Sequence, residues 1–195
     1  MKRRLSLWMG GLLPLLAATY VVAAQVGQPA PGFALKDQDG HEVELTGLRG
    51  KIVVLEWTNP DCPFVQRHYG AKTMSTLADR FRGRDVVWLA VNSTHYMDAA
   101  KDRAWRGQQA FSYAILDDHA GTVGKAYGAK TTPNVFVINR DGVLVYQGAI
   151  DDDAAGEKGA GARNYVADAL DDLTGGKPVR LAETKPYGCS VKYAP

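Results

Sequence analysis

The sequence predicts an α/β fold in which a central mixed β-sheet is flanked by helices, with an N-terminal β-hairpin and a C-terminal extension. Two near-continuous apolar runs, residues 51–57 (KIVVLEW) and 85–91 (DVVWLAV), are typical of strands buried on both faces of a parallel sheet. A helical pattern lies between them and gives a β-α-β unit. A turn signal at Arg140-Asp141-Gly142 joins two later apolar runs and adds antiparallel strands. Together these observations predict a three-layer sandwich.

The first half of the chain supplies the hairpin and the β-α-β unit. Residues 33–45 alternate weakly around a turn at Asp39-Gly40, which predicts a short hairpin. Pro63 suits the first turn of the helix after the first core strand, and Gly83 is placed to end it. Gly70 is expected to kink this helix. Its apolar residues recur at helical spacing: Met74, Leu77 and Phe81.

The second half of the chain completes the sheet and adds further helices. Asp98 is placed to cap a short helix through Trp105, and a last helix at residues 164–173 stops at Gly175-Gly176. The last helix has one apolar face, and its aspartates are expected on the outside: Asp168, Asp171 and Asp172. The other predicted elements are a strand at 113–116, one or two helical turns at 122–127, and hairpin strands at 134–138 and 143–146.

The composition fits one globular domain that follows an export signal. With 46% hydrophobic and 23% charged residues among 195, the chain has enough apolar residues for a substantial core. Residues 1–24 combine a basic start, an apolar stretch and small residues before Gln25, which predicts a cleaved signal peptide and a periplasmic protein. A retained membrane anchor is the alternative. We expect the domain at residues 25–176, a tail at 177–195 that is an irregular extension, and no membrane association after removal of the signal.

Charge and cysteine count exclude several classes of protein. The net charge of +2 includes three basic residues of the leader, so the remainder is close to neutral and offers little support for nucleic-acid binding. Two cysteines exclude a four-cysteine zinc site and a miniprotein held by several disulfides. They leave one internal bridge or two separate thiols.

Cys62 is the residue most suited to chemistry, because it falls between a buried strand and a helix that begins with Pro63. Free backbone N–H groups and the positive end of the helix dipole stabilise a thiolate there, which favours a reactive sulfur. Glu56, at the end of the preceding strand, is placed to exchange protons with that sulfur if burial raises its pKa. The alternatives are a small buried hydrophobe at Cys62 and an ordinary polar strand end at Glu56.

Motifs along most of the chain resemble those of a known superfamily. They are residues 28–33 (QPAPGF), the strand 51–57, Cys62-Pro63-Phe64-Val65 at the place of a CxxC motif, 127–129 (YGA), Thr132-Pro133, 148–151 (GAID) and 184–192 (TKPYGCSVK). Together they resemble the thioredoxin-fold superfamily and, within it, the redoxins of the AhpC/TSA, peroxiredoxin-like branch. The resemblance extends from about residue 28 to residue 175.

This resemblance implies a thioredoxin-like sandwich and a thiol oxidoreductase with Cys62 as nucleophile. Glu56 stands where thioredoxins keep a buried acid. Thr132-Pro133 matches the cis-proline loop, so Pro133 is expected to be cis and Thr132 to present its backbone to an extended substrate. Pro63, next to the cysteine, is expected to contact the substrate.

Two departures limit the resemblance. Val65 replaces the second cysteine of CxxC, so a mixed disulfide on Cys62 must be released by Cys189 or by an external thiol. Peroxiredoxins place a threonine three residues before their reactive cysteine, whereas this chain has Asn59 there. An asparagine amide is able to donate a hydrogen bond to a peroxide oxygen, so Asn59 is a candidate substrate-binding residue.

Cys189 lies 127 residues after Cys62 in the tail and allows three interpretations. It resolves an intermediate on Cys62, forms a static bridge with Cys62, or stays unpaired or pairs with another molecule. The first interpretation is favoured, because an exported pair of cysteines is expected to be used together. Cys189 is therefore a candidate catalytic residue.

The other polar residues that attract attention are expected to have structural or solvated positions. His68 lies on a different face of its helix from Cys62, which argues against a Cys-His dyad. His41 and His119 are predicted in surface turns and His95 in a solvated loop. Asp151-Asp152-Asp153 lacks the alternating spacing of a calcium loop and is predicted to be solvated.

The sequence predicts an enzyme that exchanges or reduces disulfides, with peroxide reduction as the alternative. The expected partners are a thiol reductant, a disulfide-containing protein or a peroxide, with no cofactor and no catalytic metal. A hypothesis of another class is a Cu(I) carrier that binds copper through Cys62 and a histidine. Such carriers use a CxxxC pair, and residues 62–66 (CPFVQ) contain one cysteine.

Overall fold

The computed structural model describes residues 23–195, so the predicted signal peptide lies, except for its last two residues, outside the described residues. The strands are β1 Ala34–Lys36, β2 Glu42–Glu44, β3 Ile52–Trp57, β4 Val86–Asn92, β5 Ala114–Asp117, β6 Thr131–Thr132, β7 Asn134–Ile138, β8 Leu144–Gly148 and β9 Cys189–Ser190. The helices are α1 Pro63–Gly70, α2 Thr73–Phe81, α3 Ala99–Gln109, α4 Thr122–Tyr127 and α5 Tyr165–Thr174.

The central sheet has five strands in the order β5-β4-β3-β7-β8. Strands β3, β4 and β5 are parallel, whereas β7 pairs antiparallel with both β3 and β8. The predicted N-terminal hairpin is present as β1 and β2. The mixed α/β sandwich predicted from the sequence is therefore confirmed.

Strand β3 lies at the middle of the sheet, and all six of its residues are buried. Its side chains alternate between the two faces: Ile52 and Val54 pack with α1, α2 and α5, while Val53 and Leu55 pack with α4 and the N-terminal hairpin. Burial on both faces explains the continuous apolar run in the sequence. It also gives a rigid base for the loop that carries Cys62.

The predicted long helix with a kink at Gly70 is wrong, because the segment forms two separate helices. α1 ends at Gly70, and Lys72 adopts a left-handed backbone conformation before α2 begins at Thr73. The short helix predicted to end at Trp105 is also longer, because α3 continues to Gln109. Asp98 caps α3 as predicted, by accepting a hydrogen bond from Lys101 N at 2.8 Å.

Two predictions about the C-terminal part also need correction. Asp172 is buried rather than outside α5, because its carboxylate accepts hydrogen bonds from the Arg180 side chain at 3.0 and 3.1 Å. The tail is more than an irregular extension, because β9 pairs antiparallel with β6. Along residues 23–195, none of the helices is long and apolar enough to cross a membrane.

Candidate active site

Cys62 is the N-cap residue of α1, with an extended backbone and with Pro63 in the first turn of the helix. Its backbone N–H donates to Asn59 O at 3.0 Å, and its carbonyl accepts from Gln66 N at 2.9 Å. The side chain is buried, and the Sγ atom lies 3.0 Å from Thr132 O and 2.8 Å from Cys189 Sγ. The loop geometry therefore points the sulfur toward β6 and the tail.

The two thiols have unequal acidity. Burial raises the pKa of Cys62, but the hydrogen bonds from the Cys189 thiol and from the Val65 backbone N–H outweigh it and leave this pKa lowered. Burial and the same contact with Cys62 raise the pKa of Cys189 to about 11. Cys189 is therefore the less acidic of two thiols whose sulfur atoms lie 2.8 Å apart. Of the two, Cys62 is the better nucleophile near neutral pH.

Glu56 is fully buried below this site, on β3. Its Oε2 accepts hydrogen bonds from Trp88 Nε1 at 3.0 Å and from Tyr69 Oη at 3.3 Å, and Tyr113 Oη in turn donates to Tyr69 Oη at 2.9 Å. Its Oε1 atom has no hydrogen-bond partner among the described residues. Burial, opposed by the hydrogen bonds from Trp88 and Tyr69, raises the pKa of Glu56 to about 7. This carboxyl is able to change protonation state near neutral pH.

The Thr132-Pro133 peptide bond is cis, as the sequence led us to expect. Both residues are buried, and the Thr132 carbonyl faces the Cys62 sulfur. Thr131 and Thr132 form β6, which pairs with Ser190 and Cys189 of β9. The edge on which an extended substrate is expected is thus occupied by the chain's own tail.

The tail approaches this edge through two glycines that leave room for it. Gly188 has a φ of 132°, and a Cβ built there would lie 2.1 Å from Thr132 O. Gly148 has a φ of 149°, and a Cβ built there would lie 2.1 Å from Thr184 Oγ1. Thr184 fills that space, where its hydroxyl accepts a hydrogen bond from Ala149 N at 2.9 Å. Residues 148–151 and 184–192, two motifs far apart in the sequence, therefore fit together.

A polar cluster made of His68, Asp151 and Tyr187 lies beside a loop that was predicted to be solvated. Asp151 and Asp153 are buried rather than solvated, and Asp153 accepts hydrogen bonds from the backbone N–H groups of Glu157, Lys158 and Gly159. His68 is also buried, and its Nε2 lies 2.9 Å from Tyr187 Oη. The Tyr187 hydroxyl donates to Asp151 Oδ1. This cluster joins α1, the loop after β8 and the tail.

Asn59 and Pro63 flank Cys62 differently. Asn59 is buried, and its side chain accepts a hydrogen bond from Asp61 N at 2.9 Å and donates one to Tyr96 Oη at 3.4 Å. Its amide therefore shapes the loop that precedes Cys62. Pro63 is exposed at the start of α1. A role of either residue in substrate binding stays a prediction.

The histidines do not form a metal centre in the part of the chain that the structure describes. No group of three or more His, Cys, Asp or Glu side chains is arranged to hold a metal ion within residues 23–195. His119 lies in a turn as predicted, but its ring is partly buried between Asp102 and Asp117, with ring–carboxylate distances of 3.3 and 2.7 Å. His41 and His95 are exposed as predicted.

Sequence reasoning found four residues that the structure brings together: Cys62, Cys189, Thr132 and Pro133. It missed Tyr187, although this residue lies in the tail motif at residues 184–192. It also missed the role of Gly188 as the point of closest approach to Thr132. A tyrosine two residues before a cysteine was the available signal, but its partners are distant in sequence.

Comparisons with known proteins found a matching family and similar sequences and structures. The model of the AhpC/TSA family matches residues 26–147. Thiol-disulfide oxidoreductase ResA of Bacillus subtilis is 28% identical over 154 residues, which cover 74% of this chain and 84% of that protein. Chloroplastic peroxiredoxin Q of Triticum aestivum is 29% identical over 140 residues, which cover 67% of this chain and 62% of that protein.

One similar solved structure matches most of the chain. A hypothetical protein from Sinorhizobium meliloti 1021 superposes with a TM-score of 0.78 at 25% identity, and the match covers 89% of this chain and 97% of that one. The two curated relatives are named as a thiol-disulfide oxidoreductase and as a peroxiredoxin. The expectation of a thiol-dependent enzyme is therefore confirmed.

Proposed function

The chain belongs to the AhpC/TSA family, and we propose that it is a thiol-disulfide oxidoreductase whose redox-active pair is Cys62 and Cys189. The observation that carries this proposal is the distance of 2.8 Å between the two sulfur atoms, which are 127 residues apart in the chain. A disulfide bond needs about 2.05 Å between the sulfurs, so bond formation requires only a small shift. The tail thus supplies the second thiol, which the CxxC position lacks because Val65 stands there.

The proposed reaction begins on Cys62. Its thiolate attacks one sulfur of a protein disulfide, the S–S bond breaks, and a mixed disulfide forms while the other substrate sulfur leaves as a thiolate and takes up a proton. Cys189 then loses its proton and attacks the Cys62 sulfur. The second substrate thiol is released, and Cys62–Cys189 becomes the oxidised pair. Two electrons have passed from the two cysteines to the substrate, and an external thiol reductant returns them.

Glu56 and the cis-proline loop have supporting roles in this proposal. Glu56 has a pKa of about 7 and an unpartnered Oε1, so it is the buried group suited to take up and return protons during exchange. Thr132 offers the backbone edge on which an extended substrate pairs, and Pro133 holds that edge next to Cys62. Pro63, exposed next to Cys62, and Asn59, in the loop before it, are the proposed substrate-binding residues.

Peroxide reduction is a second candidate, because the family match extends to peroxiredoxin Q. In that reaction the Cys62 thiolate breaks the O–O bond and becomes a sulfenic acid, and Cys189 condenses with it to give a disulfide and water. The side chain of Asn59 is already bonded to Asp61 N and Tyr96 Oη, which leaves it less free to orient a peroxide. Disulfide exchange is therefore the proposal we favour.

We place the enzyme outside the cytoplasm, in the periplasm. The support is the leader pattern of residues 1–24, with its basic start, apolar stretch and small residues before Gln25. Cell fractionation of the tagged full-length chain tests this location. Recovery of an uncleaved chain in the cytoplasm would contradict it.

The experiment that tests the proposed function is the loss of free thiol from the reduced protein at neutral pH. Hydrogen peroxide and a small aromatic disulfide are added separately, and the products are mapped by non-reducing peptide analysis. We expect fast reaction with the disulfide and a Cys62–Cys189 bridge as the product. Cys62→Ser is the matched control and should be inert. Fast loss with peroxide alone would favour the peroxidase, and inertness to both reagents would refute the oxidoreductase.

A further inference from the structure

The tail is fixed to the body of the protein at the residue that precedes Gly188 and Cys189. Tyr187 packs against α1, with its ring centre 6.0 Å from that of Phe64 and 5.8 Å from the Arg67 guanidinium carbon. The same helix begins at the residue after Cys62. One helix thus orients the first sulfur through its N-cap and the second sulfur through Tyr187.

The Tyr187 hydroxyl is held by two buried side chains. His68 and Asp151 are 4% and 7% exposed, so neither exchanges its partner for water easily. The hydroxyl donates to Asp151 Oδ1 and lies 2.9 Å from His68 Nε2. Burial lowers the pKa of His68, and the ring Nδ1 lies 3.9 Å from Asp151 Oδ2. We call these three residues the tyrosine anchor.

The backbone contact of the tail with the active-site edge is short. β9 and β6 have two residues each, and Cys189 is only half-buried. A ladder of this length is weak by itself, because isolated short strand pairs are marginal in water. Beyond Cys189 the tail is also held by the hydrogen bonds from Val191 N to Lys130 O at 3.1 Å and from Tyr193 Oη to Ala129 O at 2.8 Å. The tyrosine anchor is the side-chain contact that holds the tail on the other side, two residues before Cys189.

We propose that Tyr187 is a positioning residue for the thiol-disulfide reaction. It acts by holding Cys189 at the Cys62 sulfur and by keeping β9 paired with the strand edge at Thr132. This inference rests on the proposed function. It has two opposite kinetic consequences. Holding the tail in place speeds the attack of Cys189 on a mixed disulfide, since the two sulfurs are already together. It slows the first attack on a protein disulfide, since an extended substrate must displace β9 from Thr132.

The test uses Tyr187→Phe in the full chain, because the substitution removes the hydroxyl and keeps the ring against Phe64. Tyr165→Phe on α5 is the matched control, which also removes one hydroxyl. The probe is dithiobis-nitrobenzoate, which releases one coloured thiolate on attack by Cys62 and a second on attack by Cys189. The equilibrium between the dithiol and the Cys62–Cys189 disulfide is measured in glutathione buffers.

For Tyr187→Phe we expect the second release to slow by roughly tenfold and the effective concentration of Cys189 to fall by a similar factor, the size expected for one hydrogen bond to a carboxylate. We expect the first release to be unchanged or faster, and faster still with an unfolded disulfide-containing protein as substrate. Asp151→Asn should change the same rates in the same directions. Tyr165→Phe should behave as the unmodified protein. A purely structural role would slow both releases together.

The outcomes separate this inference from the proposed function. Unchanged second-phase rates in both Tyr187→Phe and Asp151→Asn, with a normal Cys62–Cys189 bridge, would overturn the positioning role and leave the oxidoreductase intact. Absence of that bridge in the unmodified protein would overturn the proposed function. If Tyr187→Phe fails to fold, as judged by circular dichroism, Asp151→Asn decides the question.

Discussion

Replacing Gly188 by alanine should separate the two sulfur atoms without touching either of them. A Cβ at position 188 would lie 2.1 Å from the Thr132 carbonyl oxygen and 2.8 Å from its carbon. Carbon and oxygen atoms in contact keep roughly 3.3 Å apart. The clash is with backbone, so no side-chain rotation relieves it. The tail must therefore move away from β6 by about 1 Å or more, which carries Cys189 away from Cys62.

The size of the effect follows from two contributions. Alanine at a φ of 132° is strained by about 1–3 kcal/mol when the backbone is held there. Release of the tail avoids that strain but gives up the contact between the sulfurs. A loss of about 2 kcal/mol corresponds to a roughly thirtyfold lower effective concentration of Cys189, at 1.4 kcal/mol per factor of ten.

The assay is a titration of the Cys62–Cys189 disulfide in glutathione buffers, with the dithiol and disulfide forms separated by mass after alkylation. The matched control is Gly176→Ala, because Gly176 has a φ of 71° and a Cβ there would meet no atom within 4 Å. Gly176→Ala measures the strain of an alanine at positive φ without a clash of its Cβ with neighbouring backbone. An unchanged effective concentration in Gly188→Ala, with Gly176→Ala folded and normal, would refute the reasoning.

Three further predictions concern the same centre. Cys189→Ser should leave the first attack of Cys62 intact and trap a mixed disulfide with the substrate, visible by mass spectrometry, while Cys62→Ser should trap nothing. Burial raises the pKa of Glu56 from 4.5 to about 7, so the folded state binds a proton more tightly than the unfolded state, and the free energy of unfolding should fall as pH rises from about 4.5 to about 7. That fall is on the order of 3 kcal/mol at 1.36 kcal/mol per pKa unit, and Glu56→Gln should remove most of it. Urea unfolding at pH 5 and at pH 8 measures the free energy of unfolding of both proteins. An identical pH dependence in the variant would exclude Glu56 as the source of the fall. Thr184→Val keeps the shape of the side chain next to Gly148 but loses the hydroxyl contacts with Ala149 N and Tyr146 Oη. Limited proteolysis should therefore cut the tail of the variant at least several-fold faster. Equal cleavage rates would show that Thr184 does not hold the tail.

Local sequence patterns predicted the sheet well, because the strands at its centre are buried on both faces. Residues 51–57 and 134–138 read as apolar runs for that reason, and the structure has β3 and β7 there. α4 begins and ends at the predicted residues, Thr122 and Tyr127. The position of Cys62 between a buried strand and Pro63 likewise follows from local sequence. These features depend on residues that are neighbours in the chain, so the sequence alone is enough to predict them.

Features that depend on distant partners were missed or misplaced. Lys72 adopts a left-handed conformation that divides α1 from α2, and the residue type gives little warning of it. Asp151 and Asp172 carry the charge of solvated residues, yet each is buried by a partner from the tail, Tyr187 and Arg180 respectively. Tail docking needs contacts across more than one hundred residues, as between Cys62 and Cys189. No local periodicity records such contacts.

The pairing of β9 with β6 also has a consequence for the order of folding. Cys62 and Cys189 are 127 residues apart, and the chain entropy of closing so long a loop must be overcome before their contact forms. We therefore expect the sheet to form with the Cys62 sulfur beside an open strand edge, and the tail to close that edge last. Docking of the tail, rather than formation of the sheet, is then the step that brings the two thiols together.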